Sequence, residues 1–401
     1  MSPRPSLLLL VSTLLLASAS LALSRPTVGV IRWDAWNQPN GHYDAVSYCA
    51  QIALAPDRYH YRAPFYTTTT PNNVSFDADT QDIMDAEILY AAHAGIDYWI
   101  VDTYCQYGPN CTTDSAYCAQ YAQPGSTSDG YCPEQPNYGL ERYLASPYVD
   151  RLNFTLMLLG APACDPAMQK QYIAHLSSRH YQTVLGGRPL VYMFQFADGE
   201  AMACGGGWNG SRAVFDAFRQ QVMSTGLPNP YLVLMDFDVP TVVSHARTLG
   251  FDAVSTYALP GGSNDGVPMS EQTAAAQRWW TEAATTGIPF VPLAPTGWDP
   301  RPRADHPCPC VDEGPQHYEQ ATGEEVAQLV VAALNFTCTH SDATEAETVV
   351  VYAWNESSEN GAALIPSLGN GTMYVDALSA VLPMHCSNTT TNERGMAVQT
   401  E

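Results

Sequence analysis

Basic side chains are scarce in this 401-residue chain, where 17 Lys and Arg stand against 40 Asp and Glu for a formal net charge of −23 at pH 7. Such a balance excludes electrostatic capture of phosphate backbones or anionic lipid, so nucleic acid is not an expected partner. Long apolar runs are missing too, apart from one at the start. Residues 7–16 are almost wholly apolar, about half of the ~20 a membrane-spanning helix requires. They follow Arg4 and precede the small residues Ala17, Ser18 and Ala19, which predicts a signal peptide over residues 1–24, with cleavage after Ala19, Ala22 or Ser24 and a mature start near Arg25. No stable membrane insertion is expected once it is removed. Two further absences matter: no C-x-x-C pair occurs, which argues against zinc, and no glycine-rich loop follows the first apolar run, GVIRWDAWNQPNGHYD, which argues against a dinucleotide. No metal or organic cofactor is implied.

What the chain does have fits an exported glycoprotein. Its eleven cysteines all lie beyond the signal and predict a disulfide set with at least one thiol left over. Eight Asn-x-Ser/Thr sequons occur, at Asn73, Asn110, Asn153, Asn209, Asn335, Asn355, Asn370 and Asn388. The about 375 mature residues are ample for a large core but long for one ordinary domain, a length that barrels commonly reach.

Eight short apolar runs are bounded by Gly, Pro or Asp, at 28–33, 98–103, 154–159, 189–194, 231–236, 253–257, 290–294 and 348–354. Between them, 78–94, 167–179, 213–225, 241–249, 270–286 and 324–336 are long enough for helices. Strand and helix repeated with near-continuous apolar strands predict a single (β/α)₈ barrel over 25–385, with a polar tail over 386–401. An open doubly wound sheet is the alternative. Residues 105–150, with Cys105, Cys111, Cys118 and Cys132, read as a disulfide-stapled loop after strand two, and Cys308 and Cys310 as two disulfide halves.

Barrel enzymes build their sites at the C-terminal ends of the strands. Those ends carry Trp33 and Asp34, then His42, Tyr43 and Asp44; Asp102 and Tyr104; Gln195; Asp236 and Asp238; Tyr257; Trp298, Asp299, Arg301 and Arg303; and Trp354, Asn355 and Glu356. Aromatic faces with carboxylates suit a sugar, whose C–H faces stack on rings and whose hydroxyl rim takes hydrogen bonds. Glycosidic cleavage needs two carboxyl groups, one protonated and one ionised. Glu356 and Glu359, three residues apart just past the last strand, are the candidate catalytic pair, and their like charges raise one pKa. The candidate substrate-binding residues are Asn355, Trp354, Trp33, Asp34, His42, Tyr43, Asp102, Tyr104, Tyr257, Trp298, Asp299 and Arg301; Asp299 with Arg301 also reads as a salt bridge that holds the loop.

At these residues the chain resembles glycoside hydrolase family 99, the endo-α-mannosidase family, and the related WbsX-like domains, over most of the mature chain. The blocks are GHYD, DAEILYAAHAGIDYWIVDTY, PTGWDPRPR and YAWNESSENGAALIPSLGNGTMYVDAL. The family pattern Asn-Glu-x-x-Glu matches Asn355, Glu356 and Glu359; Ser357 and Ser358 replace its Trp-His, and Asn360 its following Gly. The resemblance implies a retaining, α-mannoside-directed hydrolase. It makes Glu356 the base that engages the sugar 2-hydroxyl through an epoxide-like intermediate, and Glu359 the acid/base at the leaving oxygen. A monomer acting on a glycan or polysaccharide outside the cell, or in the lumen of the secretory pathway, is expected. Competing readings are a non-catalytic glycan-binding or cell-wall protein on the same barrel, a glycosyl-transferring enzyme, and a retaining barrel with its acid after strand four. The last finds no Asn-Glu in FQFADGE. Asn355 is expected to carry no glycan and to hydrogen-bond substrate or orient Glu356.

Overall fold

A computed structural model describes residues 25–33, 45–76, 78–103, 138–307, 313–384 and 386. The signal peptide, Asp34, His42, Tyr43, Asp44, Tyr104, the four cysteines of the stapled loop, Cys308, Cys310 and the tail beyond Cys386 lie outside them.

Eight parallel strands form a (β/α)₈ barrel: β1 Thr27–Arg32, β2 Tyr98–Thr103, β3 Asn153–Leu159, β4 Arg188–Phe194, β5 Tyr231–Met235, β6 Ala253–Ser255, β7 Leu293–Pro295 and β8 Thr348–Tyr352. Hydrogen-bonded neighbours run β7-β8-β1-β2-β3-β4-β5-β6. The ends meet at a parallel bridge from Val254 to Phe290, where the Val291 N–H donates to the Val254 carbonyl at 2.9 Å. The seventh strand is shorter than the 290–294 expected, because Pro289, Pro292 and Pro295 offer no N–H to a ladder and leave pairing to the residues between them.

Two apolar layers follow from strand alternation. Tyr98, Ile100, Met157, Tyr192, Val233, Val350 and Tyr352 fill the lumen. Val28, Val30, Trp99, Leu156, Val191, Val349 and Val351 face the surrounding helices. Those helices carry their own start and stop signals. Gln81–Ala94 is capped by the Thr80 hydroxyl and stopped by Gly95 in the left-handed conformation, and Gly323–Thr339 opens on a capping box of Thr322 and Glu325.

Helices not expected from the sequence occur at Ala45–Leu54, Tyr138–Ala145, Asp198–Gly205, Arg301–Asp305 and Met373–Val381. Residues 138–145 therefore correct the reading of 105–150 as loop throughout. Disulfides join Cys164 to Cys204 and Cys338 to Cys386, and Cys49 is also disulfide-bonded. The second bond fastens Cys386, expected as the first residue of the tail, to the helix Gly323–Thr339. Among the described residues no helix is long and apolar enough to cross a membrane, and no cluster of His, Cys, Asp and Glu could hold a metal ion.

Candidate active site

Beyond β8 the chain does not run on into solvent. Glu356 and Glu359 sit on a tight turn in which the N–H groups of Glu359 and Asn360 both donate to the Glu356 carbonyl, at 3.1 and 2.8 Å. The segment after β7 presses on this turn. Thr296 donates its backbone N–H to the Tyr352 carbonyl at 2.8 Å, and its hydroxyl meets the Asn360 side chain at 3.0 Å. Gly297 permits the approach: its φ is 157°, and a Cβ there would lie 2.2 Å from the Asn360 carbonyl oxygen. Both glutamates are buried as a result, Glu356 3% and Glu359 6% exposed.

One guanidinium organises the pair. Arg303 donates to Glu359 through Nη1, to Glu356 through Nη2 at 3.4 Å, to Glu313 at 3.2 Å and to the Ser358 hydroxyl through Nε at 2.9 Å. It also lies over the Trp33 ring, 5.5 Å from its centroid. Ser358, where family 99 has a bulkier residue, is thus a partner of the arginine. Glu359 also accepts from the Tyr352 hydroxyl, and the Tyr257 hydroxyl lies 2.8 Å from Glu356 and 3.3 Å from Asp102.

The charges do not balance, and the carboxyl groups respond. Burial pushes Glu356 well above the usual carboxylate range; the charges of Glu359 and Asp102 add to the rise, and Arg303 only partly opposes it. Glu313 is raised to about 8 by burial and by Glu359. Burial alone would lower Arg303, but Glu359, Glu313 and Glu356 together hold it above its ordinary value. Tyr257 has one hydrogen for two facing carboxylates, so a proton resident on Glu356 satisfies the arrangement by donating back to the phenol oxygen. Glu359 accepts from both Arg303 and Tyr352. A proton resting on Glu356 runs opposite to the base role that the resemblance implies for it.

The expected site residues separate into groups. Asp102, Tyr257, Glu356 and Glu359 come together in the mouth, with Trp33 reaching the same arginine and Trp298 near Tyr352, ring centroids 6.4 Å apart. Trp354 does not join them. The strand ends at Tyr352, Ala353 belongs to the lumen, and Trp354 turns outward. It is fully buried against Trp99 and donates its indole N–H to Glu87 at 2.7 Å, so it cannot stack on a sugar. Asn355 is buried, and its amide pairs with the backbone of Trp33, accepting from the N–H at 2.8 Å and donating to the carbonyl at 2.6 Å. It ties the end of β8 to the loop after β1, and both of these side-chain hydrogen bonds go to Trp33. Asp299 is 1% exposed, between Arg62 and Arg301, and takes two hydrogen bonds from Arg301 at 2.7 and 2.6 Å. It holds the loop, in keeping with the salt-bridge reading of Asp299 and Arg301. Asp34, His42, Tyr43 and Tyr104 lie outside the described residues.

Glu313 and Tyr352 are site residues that the sequence reading missed, and Arg303 was placed at a strand end but not among the candidate site residues. Tyr352 was legible, because the alternation Val350, Tyr352 puts it in the lumen just below the pair. Arg303 was visible beside Arg301 in PRPR, where Pro302 separates two arginines with opposite tasks. Glu313 carries no motif.

Paired carboxylates and aromatic rings thus gather at the C-terminal mouth of a parallel (β/α)₈ barrel. Among solved structures the chain is similar to the GH99 endo-alpha-mannosidase from Bacteroides thetaiotaomicron, at 11% identity over 89% of this chain and 96% of that one, with a TM-score of 0.55. It is also similar to a structure titled a glycoside hydrolase-like protein, at 14% identity over 95% of this chain and 97% of that one, with a TM-score of 0.52. The chain therefore has a GH99-like fold. No family model and no curated protein matches it.

Proposed function

We propose that the chain is an exported glycoside hydrolase that cleaves a glycan or polysaccharide with Glu356 and Glu359. The observation that supports this is the sharing of one guanidinium by two buried carboxyl groups, each held by its own tyrosine, at the strand ends where barrel enzymes work. In this reading Glu356 begins protonated and assists the departing glycosidic oxygen, and Glu359 stabilises or generates the nucleophile. Retention of configuration and an α-mannoside preference belong to the same reading and come from the likeness to family 99. Export is supported by the apolar leader and by the disulfides.

Digestion of a panel of neutral polysaccharides and N-glycans, followed by product analysis, tests the proposal. The wild type releases sugar from at least one member, while Glu356→Gln and Glu359→Gln fold normally and lose about 10²–10⁴-fold in rate. Cleavage of no member, or glutamine variants as active as the wild type, contradicts it.

A further inference from the structure

We propose that Phe194 and Phe237, at the ends of β4 and β5, form a second sugar subsite continuous with the glutamate pair. The inference rests on the glycosidase reading above and extends it to how much of the chain of sugars is held.

Its basis is an aromatic path across the mouth. From the catalytic side it runs from Tyr352 to Tyr257, ring centroids 5.3 Å apart, and from Tyr257 to Phe194, 4.2 Å apart and tilted by 33°. Phe194 then meets Phe237 edge-on at 5.9 Å and 90°. The inner end of the path touches Glu356 and Glu359 through the two phenols, and the outer end, Phe237, is 37% exposed. Scattered single apolar residues on a surface need no explanation. Phe237 is different, because it terminates a contiguous ring path that begins at the proposed reacting bond.

A second observation lies on the same rim. Gln195, exposed and adjacent to Phe194, has a φ of 38°, in the left-handed region that a non-glycine residue seldom enters. Its N–H donates to the Met235 carbonyl at 3.0 Å, holding the ends of β4 and β5 together; on its other side Phe196 is buried in the outer core. The strained turn thus separates one phenylalanine at the mouth from one in the core. Just past β5 the Asp236 carboxylate accepts from the Phe237 N–H at 2.7 Å, which sets a carboxylate at the residue that carries the exposed ring. An exposed ring with a hydrogen-bonding carboxylate beside it matches the chemistry of a neutral pyranose, with its C–H face and its hydroxyl rim. A uronic or sulfated sugar would meet Asp236 and the carboxylates of the pair.

The test is calorimetric titration of α-mannan oligosaccharides of two, three, four and five units into the full chain carrying Glu359→Gln, which prevents turnover, with and without Phe237→Ala. The expected result is a rise in affinity of about tenfold at the one added unit that reaches Phe237, a step worth about 1.4 kcal/mol, and loss of that step in Phe237→Ala. The same step in both proteins overturns the subsite and leaves the glycosidase reading standing. Binding of none of the four overturns the subsite together with the α-mannoside preference, while the hydrolase reading itself stands or falls with the panel digestion. A wild-type dimer that Phe237→Ala converts to monomer, seen by light scattering, also overturns it, because the ring would then be a contact between copies.

Discussion

Two charge clusters lie within five residues of each other in the loop after β7, and they are built with opposite stoichiometry. At Asp299 two guanidiniums, Arg62 and Arg301, converge on one carboxylate. Burial would raise that carboxyl, but the arginines outweigh it and hold it below the usual range. At Arg303 one guanidinium faces Glu313, Glu356 and Glu359, and two of those carboxyls rise. An excess of cation keeps a carboxylate permanently ionised, which makes it a fastener. An excess of acid around one cation leaves a proton to be shared, which is what acid–base chemistry needs.

The largest effect that separates the two clusters is expected at Arg303. Arg303→Gln removes the shared cation from a buried site, so activity falls by about 10² or more and stability by roughly 3–5 kcal/mol, read from initial rates and urea unfolding. Asp299→Asn leaves Arg62 buried without its anion and costs a similar roughly 3–5 kcal/mol of stability, while the folded fraction keeps most of its rate. Arg301→Gln is the mild control, because its side chain is 38% exposed and the loss stays under about 1 kcal/mol. If Arg301→Gln impaired catalysis as severely as Arg303→Gln, the division into fastener and catalytic cluster would fail.

Acidity separates the clusters by sign. Asp299 has a depressed folded pKa, so its contribution is present above the unfolded value and is lost as pH falls through the folded one. Glu313 has a raised one, so the folded state holds its proton longer than the unfolded state does. Stability from that group therefore declines as pH climbs from the ordinary 4.5 toward about 8. Urea titrations across this window should show the decline in the wild type and a flatter curve in Glu313→Gln. An unchanged slope in that variant would remove Glu313 from the shared-proton cluster.

The same contrast bears on how much the sequence disclosed. Parallel strands buried on both faces read as apolar runs, which is why β2 matches its expected residues at both ends and the barrel was legible. The glutamate pair was legible because motif spacing and the end of a strand coincide there. Trp354 and Asn355 were not: both lie within two residues of Glu356 in sequence, yet the chain leaves the ladder at Tyr352, and one goes to the outer core while the other goes to the Trp33 backbone. Proximity in sequence stops implying proximity in space where a strand ends. Arg301 and Arg303 taught the same lesson from the other side, since residue type alone does not reveal which carboxylates a guanidinium will find.

A smaller effect is expected at Asn355. Asn355→Ala strands the N–H and carbonyl of Trp33, costing about 1–3 kcal/mol of stability, so the variant should lose thermal stability along with activity. Peptide mapping should find this buried asparagine free of glycan, in contrast to the exposed Asn73, Asn209 and Asn335. High occupancy at Asn355 would contradict its position inside the barrel mouth.

The central claim, that the shared proton rests on Glu356 and makes it the acid, is tested most directly by leaving-group rescue. Rates of Glu356→Gln and Glu359→Gln are measured on a glycoside with a poor leaving group and on its activated aryl counterpart. An acid is dispensable when the leaving group departs unaided, so the account predicts that Glu356→Gln recovers on the activated substrate and Glu359→Gln does not. Recovery of Glu359→Gln with Glu356→Gln still inactive would contradict it and restore the roles implied by the resemblance to family 99.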